Sequence, residues 1–188
     1  MKEEVFDIAI VGGGIVGSAT FYQLQKAFPT KKLVLIEKES KLAHHQTGNN
    51  SGVIHSGLYY TPGSKKAENC VNGRHELVKF AKEHRINHDI CGKVVVATSS
   101  SEISNLEKIL DNGIHNNIEG IERINADQIK EIEPEVAGVD GIWVPCTGII
   151  DFVDVTEKMI QVAIGTNSSS KVYTCLLYTS PSPRDFEA

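Results

Sequence analysis

The chain has 188 residues, 40% of them hydrophobic and 23% charged, which suits a packed core in one domain or one domain and part of another. Its net charge of −5 gives no footprint for nucleic acid or an anionic membrane surface, and no apolar run reaches the ~18 residues of a spanning helix. Met1-Lys2-Glu3-Glu4 has neither the apolar core of a secretory signal nor the Arg-rich character of a transit peptide, and Cys70, Cys91, Cys146 and Cys175 lack ligand spacing, so reduced thiols and no metal are expected.

Residues 6–11 form a short, mostly apolar run that predicts a buried parallel strand. The run leads into Gly12-Gly13-Gly14-Ile15-Val16-Gly17, a G-x-G-x-x-G. Gly12 suits the sharp turn from strand to helix, Gly14 lets backbone approach a pyrophosphate, and Gly17 lets the helix lie close to the sheet. A helix is expected from about residue 14 to residue 27, ended by Phe28-Pro29. Its unpaired N–H groups and positive dipole end favour a diphosphate. Lys32 to Ile36 predicts the second strand, which ends at Glu37, about twenty residues beyond Gly17. That is the place of an acid that bonds a ribose diol and repels a 2′-phosphate, which disfavours NADP. The unit therefore predicts binding of an ADP moiety but does not separate NAD from FAD. A glycine-rich turn in a non-binding α/β protein is the plainer alternative.

Residues 41–64, KLAHHQTGNNSGVIHSGLYYTPGS, show no sustained helical or alternating period. Long structureless loops are uncommon in compact domains and often functional. A polar loop directly after the ribose acid suits a flavoprotein, whose chain must travel along an extended cofactor. Within it, His45-Gln46-Thr47-Gly48-Asn49-Asn50-Ser51-Gly52-Val53-Ile54-His55-Ser56-Gly57-Leu58-Tyr59-Tyr60, continuing through Thr61 to Ala67, resembles the FAD-dependent L-2-hydroxyglutarate dehydrogenase/oxidase family. That family belongs to the D-amino-acid oxidase-like flavoproteins, with glycerol-3-phosphate dehydrogenase as a cousin. The resemblance continues through Cys91-Gly92-Lys93, Glu133-Pro134 and Thr147-Gly148-Ile149-Ile150-Asp151, covering residues 5 to about 165.

The resemblance implies FAD and oxidation of L-2-hydroxyglutarate, a small 2-hydroxy dicarboxylate, to 2-oxoglutarate by hydride transfer to flavin. Oxygen or a membrane electron acceptor would complete the cycle, in the cytoplasm or peripherally at the inner membrane. It also implies cofactor contacts from Gly12, Gly14, Gly17, Glu37, Thr47, Asn50, Ser51 and Gly52. Oxidising a 2-hydroxy acid needs a base near the hydroxyl, and His55 is the catalytic candidate; a loop histidine bonded to backbone is the alternative. His44 and His45 are cofactor-proximal or merely solvated, and Tyr59 and Tyr60 either wall a substrate pocket or anchor the loop.

Ser64 to His84 predicts a helix with Ala67, Cys70, Val71, Leu77, Val78 and Ala81 on one face. Arg74 shares that face, as a cofactor or substrate contact or, the expected reading, with its stem packed and its head in water. Lys93 to Ala97 predicts a strand, and Ser101 precedes a helix stopped at Asn112-Gly113. Residues 121–124 predict a short strand, Asn125 a cap for a helix over 126–132, and residues 141–145 another strand. A helix from Asp151 to about Gly165 closes the pattern.

The expected fold is α/β: an incomplete Rossmann-like FAD-binding domain (residues 1–84 and 151–174) with part of an inserted α+β substrate domain (85–150). Residues 175–185, CLLYTSPSPRD, resemble the translation of a transposon-end sequencing adapter, so 175–188 is expected to be an artefact tail and the frame to be cut near Thr174. A natural Pro/Ser-rich tail is the alternative. Three activities follow as expectations: the 2-hydroxyglutarate enzyme, a sibling acting on glycerol 3-phosphate or an amino acid, and a non-catalytic, poorly folded fragment.

Overall fold

The computed structural model describes residues 4–175. The adapter-like stretch, apart from Cys175, lies outside the described residues. The chain divides into two compact units, Met1–Ser51 with Phe152–Ala188, and Gly52–Asp151.

The first unit holds β1 (Ile8–Val11), α1 (Ile15–Ala27), β2 (Leu33–Ile36), α5 (Phe152–Thr166) and β9 (Lys171–Tyr173). Its sheet runs β1-β2-β9, all parallel, with Ile8 opposite Leu33 and Val34 opposite Lys171. In the unit's own chain order this is 3-2-1, the first half of a doubly wound sheet. β9 is too short and too lightly apolar to stand out in the sequence. Leu33 and Leu35 are fully buried with Phe21 of α1, and Ile160 and Ala163 of α5 join the same cluster. A buried polar chain ties the layers together. Ser170 donates to Gln25 at 2.6 Å and accepts the Leu33 N–H at 2.8 Å, and Gln25 donates to the Phe28 and Lys31 carbonyls. These bonds brace the turn between α1 and β2.

The second unit holds β3 (Val53–Ile54), α2 (Lys65–His84), β4 (His88–Asp89), β5 (Val94–Ala97), a 3-10 turn (Ser100–Glu102), α3 (Ile103–His115), β6 (Glu122–Asn125), α4 (Ala126–Ile132), β7 (Asp140–Trp143) and β8 (Gly148–Ile150). Two antiparallel sheets form, β3-β8-β4 and β5-β7-β6. Leu58, Leu106, Ile118, Ile142 and Val144 share one core. The unit boundary falls after Ser51, so α2 belongs to the second unit rather than to the first segment. The reason is local: β3 pairs with β8, and Asn116 donates to the carbonyls of Gly57 and Tyr60, holding residues 53–60 on this core.

Three local expectations change. Residues 41–64 are built of turns with a two-residue strand inside, not a featureless loop. α3 runs through Gly113 to His115, because Gly113 is a packing glycine: a Cβ there would lie 2.3 Å from Ile121 and 2.9 Å from Leu58. Its end comes at Asn116, followed by Asn117 at φ 54°. The head of Arg74 is buried, not in water; its side chain is 7% exposed and bonds Glu119 at 2.5 Å. The expected cap at Asn125 is present, and the structure adds Gln128 as the return half of a capping box and Ser64 as the cap of α2. Among the described residues, no helix is long and apolar enough to cross a membrane.

Candidate functional site

β1 ends at Val11 and the chain turns through Gly12, whose φ of +105° requires glycine and whose N–H donates to Ile36 at 2.8 Å. Gly17 is a contact glycine as well: a Cβ there would lie 1.9 Å from the Gly12 carbonyl oxygen, so the first turn of α1 rests on the turn that precedes it. Gly14 is the N-cap of α1 and supplies no side-chain cap, and no acid occupies the first turn. The first turn of α1 thus offers N–H donors and a positive dipole end with no acid of its own to compete for them.

Glu37 lies at the end of β2, 8% exposed. Its Oε2 accepts the buried Gly13 N–H at 2.6 Å and its Oε1 accepts the Glu39 N–H at 2.9 Å. Burial alone would raise its carboxyl, but the N–H groups of Glu39, Gly13 and Lys38 outweigh it and hold the group below the usual carboxylate range. Ionised, a carboxylate has about four acceptor positions, so capacity remains for a hydroxyl pair. Gly13, not singled out in the sequence, is constrained by this arrangement: a Cβ would lie 2.5 Å from Leu42 and 3.1 Å from Glu37.

Thr47 returns to the glycine loop from thirty-two residues on and accepts the Ile15 N–H at 2.9 Å, capping α1 from outside. Its hydroxyl hydrogen stays available to an anion there. The turn that carries it is self-supported: Asn49 donates to the His44 and His45 carbonyls, Asn50 to the Thr47 carbonyl, and Ala43 N–H to the Gly13 carbonyl at 2.9 Å. Ser51 is exposed. His45 bonds Glu39 at 2.8 Å, and that contact is the main reason the Glu39 carboxyl sits below its ordinary range. His44 packs edge-on against His45. Three of the expected residues, Gly14, Glu37 and Thr47, therefore converge on one helix start.

The second unit carries the remainder. Gly52, at φ +68°, accepts the Ile150 N–H at 2.8 Å, a sheet-edge contact. His55 is exposed, and its carbonyl accepts the Cys70 thiol at 3.5 Å. Tyr59 is 57% exposed beneath the Lys93 ammonium, 4.7 Å from the ring centroid, and burial of its hydroxyl raises its pKa. Tyr60 is half-buried under Lys66, and its carbonyl is bound by Asn116. Ser56 and Thr147 bury hydroxyls with no hydrogen-bond partner among the described residues, and neither was given a role of its own from the sequence. Among the described residues, no group of three or more His, Cys, Asp and Glu side chains is placed to hold a metal ion.

A family model described as FAD dependent oxidoreductase (DAO) matches residues 7–166. The chain is 51% identical over 156 residues to an L-2-hydroxyglutarate dehydrogenase of Indibacter alkaliphilus, covering 83% of this chain and 39% of that protein. It is 44% identical over 158 residues to the L-2-hydroxyglutarate dehydrogenase of Escherichia coli K12, covering 84% of this chain and 37% of that protein. The chain thus spans well under half the length of these curated relatives. Among solved structures it is similar to the FAD-bound L-alpha-glycerophosphate oxidase of Mycoplasma pneumoniae, with TM-score 0.85 and 27% identity over 95% of this chain and 47% of that one. It also matches the fold of glycine oxidase from Geobacillus kaustophilus, with TM-score 0.78 and 20% identity over 90% of this chain and 46% of that one.

Proposed function

The chain belongs to the FAD dependent oxidoreductase (DAO) family, and we propose that it is the nucleotide-binding portion of an enzyme that oxidises L-2-hydroxyglutarate to 2-oxoglutarate. The observation that carries this reading is the 51% identity, across 83% of the chain, to a protein of that name. The glycine turn fits FAD. Gly14 leaves open backbone, Glu37 is held ionised with acceptor capacity for a ribose diol, and Thr47 offers a hydroxyl donor to the diphosphate. In this reading Asn50 shapes the turn, and Ser51 and Gly52 continue the cofactor-facing chain.

Bound FAD supplies the two-electron acceptor. His55 takes the proton of the 2-hydroxyl as the hydride leaves C2, and the C–O bond becomes the carbonyl of the 2-oxo acid. Tyr59 and Tyr60 wall the substrate on the same loop. Oxygen or a membrane electron acceptor completes the cycle. The test is anaerobic addition of L-2-hydroxyglutarate to the full-length protein that contains this chain. Loss of the oxidised-flavin absorbance with formation of 2-oxoglutarate is expected; an unchanged spectrum refutes the reading.

The 27% identity and TM-score of 0.85 to L-alpha-glycerophosphate oxidase favour a second reading, glycerol 3-phosphate as substrate. Bleaching by glycerol 3-phosphate and not by L-2-hydroxyglutarate would establish it. The chain taken alone is proposed to be non-catalytic. β1 pairs only with β2 among the described residues, and Val11 and Val16 stand 70% and 77% exposed beside it. Stoichiometric yellow protein that is reduced by substrate would contradict that view.

A further inference from the structure

Lys93 is the one lysine among the described residues of the second unit that is not exposed. Its ammonium lies 4.7 Å from the Tyr59 ring centroid, and no carboxylate or other hydrogen-bond partner for it is found among the described residues. Burial pushes the amine below its ordinary range. A half-buried ammonium without an anion keeps donors and charge available to a ligand carboxylate.

The position is rigid. Lys93 exchanges backbone bonds with Val144 at 3.1 and 2.9 Å. Gly92 before it has φ +77°, and the Trp143 ring lies 2.0 Å from where a Cβ would stand, so only glycine fits the turn that presents Lys93. The backbone on either side of Tyr59 is held as well, by core Leu58 and by Tyr60, whose carbonyl accepts from Asn116. Cation–π contact engages the ammonium on its ring side and leaves N–H donors for an anion. Arg74 differs from Lys93 in that its charge is already paired, through Nη2, with the Glu119 carboxylate.

We propose that Lys93 binds a carboxylate of the substrate, the one remote from the reacting carbon, with Tyr59 as the wall beneath it. This rests on the reading that places the reacting carbon at His55, four positions earlier on the same loop. It makes Lys93 the residue that selects dicarboxylates over 2-hydroxy acids with an apolar end.

The test compares L-2-hydroxyglutarate with L-2-hydroxyvalerate, which has the same carbon chain without the second carboxylate, on the full-length flavin-loaded protein. In Lys93→Met the ratio of the two kcat/KM values is expected to fall about tenfold to a hundredfold, the size of a lost charge-assisted hydrogen bond. Lys93→Arg should retain most of the preference. Lys93→Gln is read in the same way if Lys93→Met loses its flavin. Equal losses on both substrates, or no loss on either, overturn the inference. Calorimetric binding of glutarate separates this inference from the proposed function. If the wild-type protein does not oxidise L-2-hydroxyglutarate, that function fails. Weaker glutarate binding in Lys93→Met then still supports the carboxylate site, and equal binding overturns it.

Discussion

Replacing Glu37 by Gln keeps the side chain's shape and removes its charge. The wild-type carboxylate accepts two backbone donors, Gly13 at 2.6 Å and Glu39 at 2.9 Å, in a position only 8% exposed. A hydrogen bond to a charged group contributes about 1.5–3 kcal/mol, against about 0.5–1.5 kcal/mol for a neutral one. Gln has one carbonyl oxygen, so one of the two donors then faces an NH2 group, at a cost of about 1–3 kcal/mol. The combined loss is on the order of 2–4 kcal/mol, shared between loop order and affinity for the nucleotide. With tenfold per 1.4 kcal/mol, the FAD Kd of the full-length apoprotein should rise at least ~10-fold, measured by quenching of FAD fluorescence. Acid gives a second reading of the same group. The carboxyl is held below its ordinary range, so its contribution is complete above about pH 4.3 and is lost as pH falls through the lower folded value. Glu37→Gln should lack that component of acid sensitivity. A variant that binds FAD within twofold of wild type and keeps its acid profile would refute the argument that Glu37 organises the glycine loop.

Gly17→Ala places a methyl 1.9 Å from the Gly12 carbonyl, so the flavin content of purified full-length protein should collapse. Asp140→Asn breaks the pair in which Arg123 reaches both carboxylate oxygens, with Nε at 3.1 and 3.0 Å. Because Arg123 is 46% exposed and Asp140 largely buried, the urea midpoint should fall modestly, by more than for a surface pair and less than for a fully buried one. The Arg123 hydrogen bonds hold the Asp140 carboxyl below its usual range, so this stabilisation persists above about pH 3.9 and disappears as pH falls through the lower folded value. Glu119→Gln leaves the buried Arg74 head without its anion and should lower the thermal midpoint, whereas Glu135→Gln, on an exposed turn, should not. Gly113→Ala should destabilise by about 1–3 kcal/mol through overpacking against Ile121.

The β1-α1-β2 unit was legible because each part carries its own physical signature: a buried apolar strand, glycines that each answer a separate steric demand, and an acid at fixed spacing. The cap at Asn125 was legible for the same local reason. What the sequence hid depends on partners distant along the chain. Arg74 looks like a surface arginine until Glu119, forty-five residues on, is seen beside it. Gly113 imitates a helix stop, and only Ile121 reveals a packing site. Thr47 falls in a loop without periodicity, and nothing local says that its hydroxyl caps α1. β9 is three residues long and finds its strand identity only by pairing with β2. Lys93 drew notice as part of a family-like motif and as the start of a strand, and its place over Tyr59 follows from where β5 and the loop meet in the second unit.

The most direct measurement is the initial rate of flavin reduction when the full-length protein is mixed anaerobically with L-2-hydroxyglutarate, glycerol 3-phosphate or glycine in parallel. The account predicts rapid, saturable bleaching with L-2-hydroxyglutarate alone and one equivalent of 2-oxoglutarate per flavin. Bleaching by either of the others with none by L-2-hydroxyglutarate would contradict it.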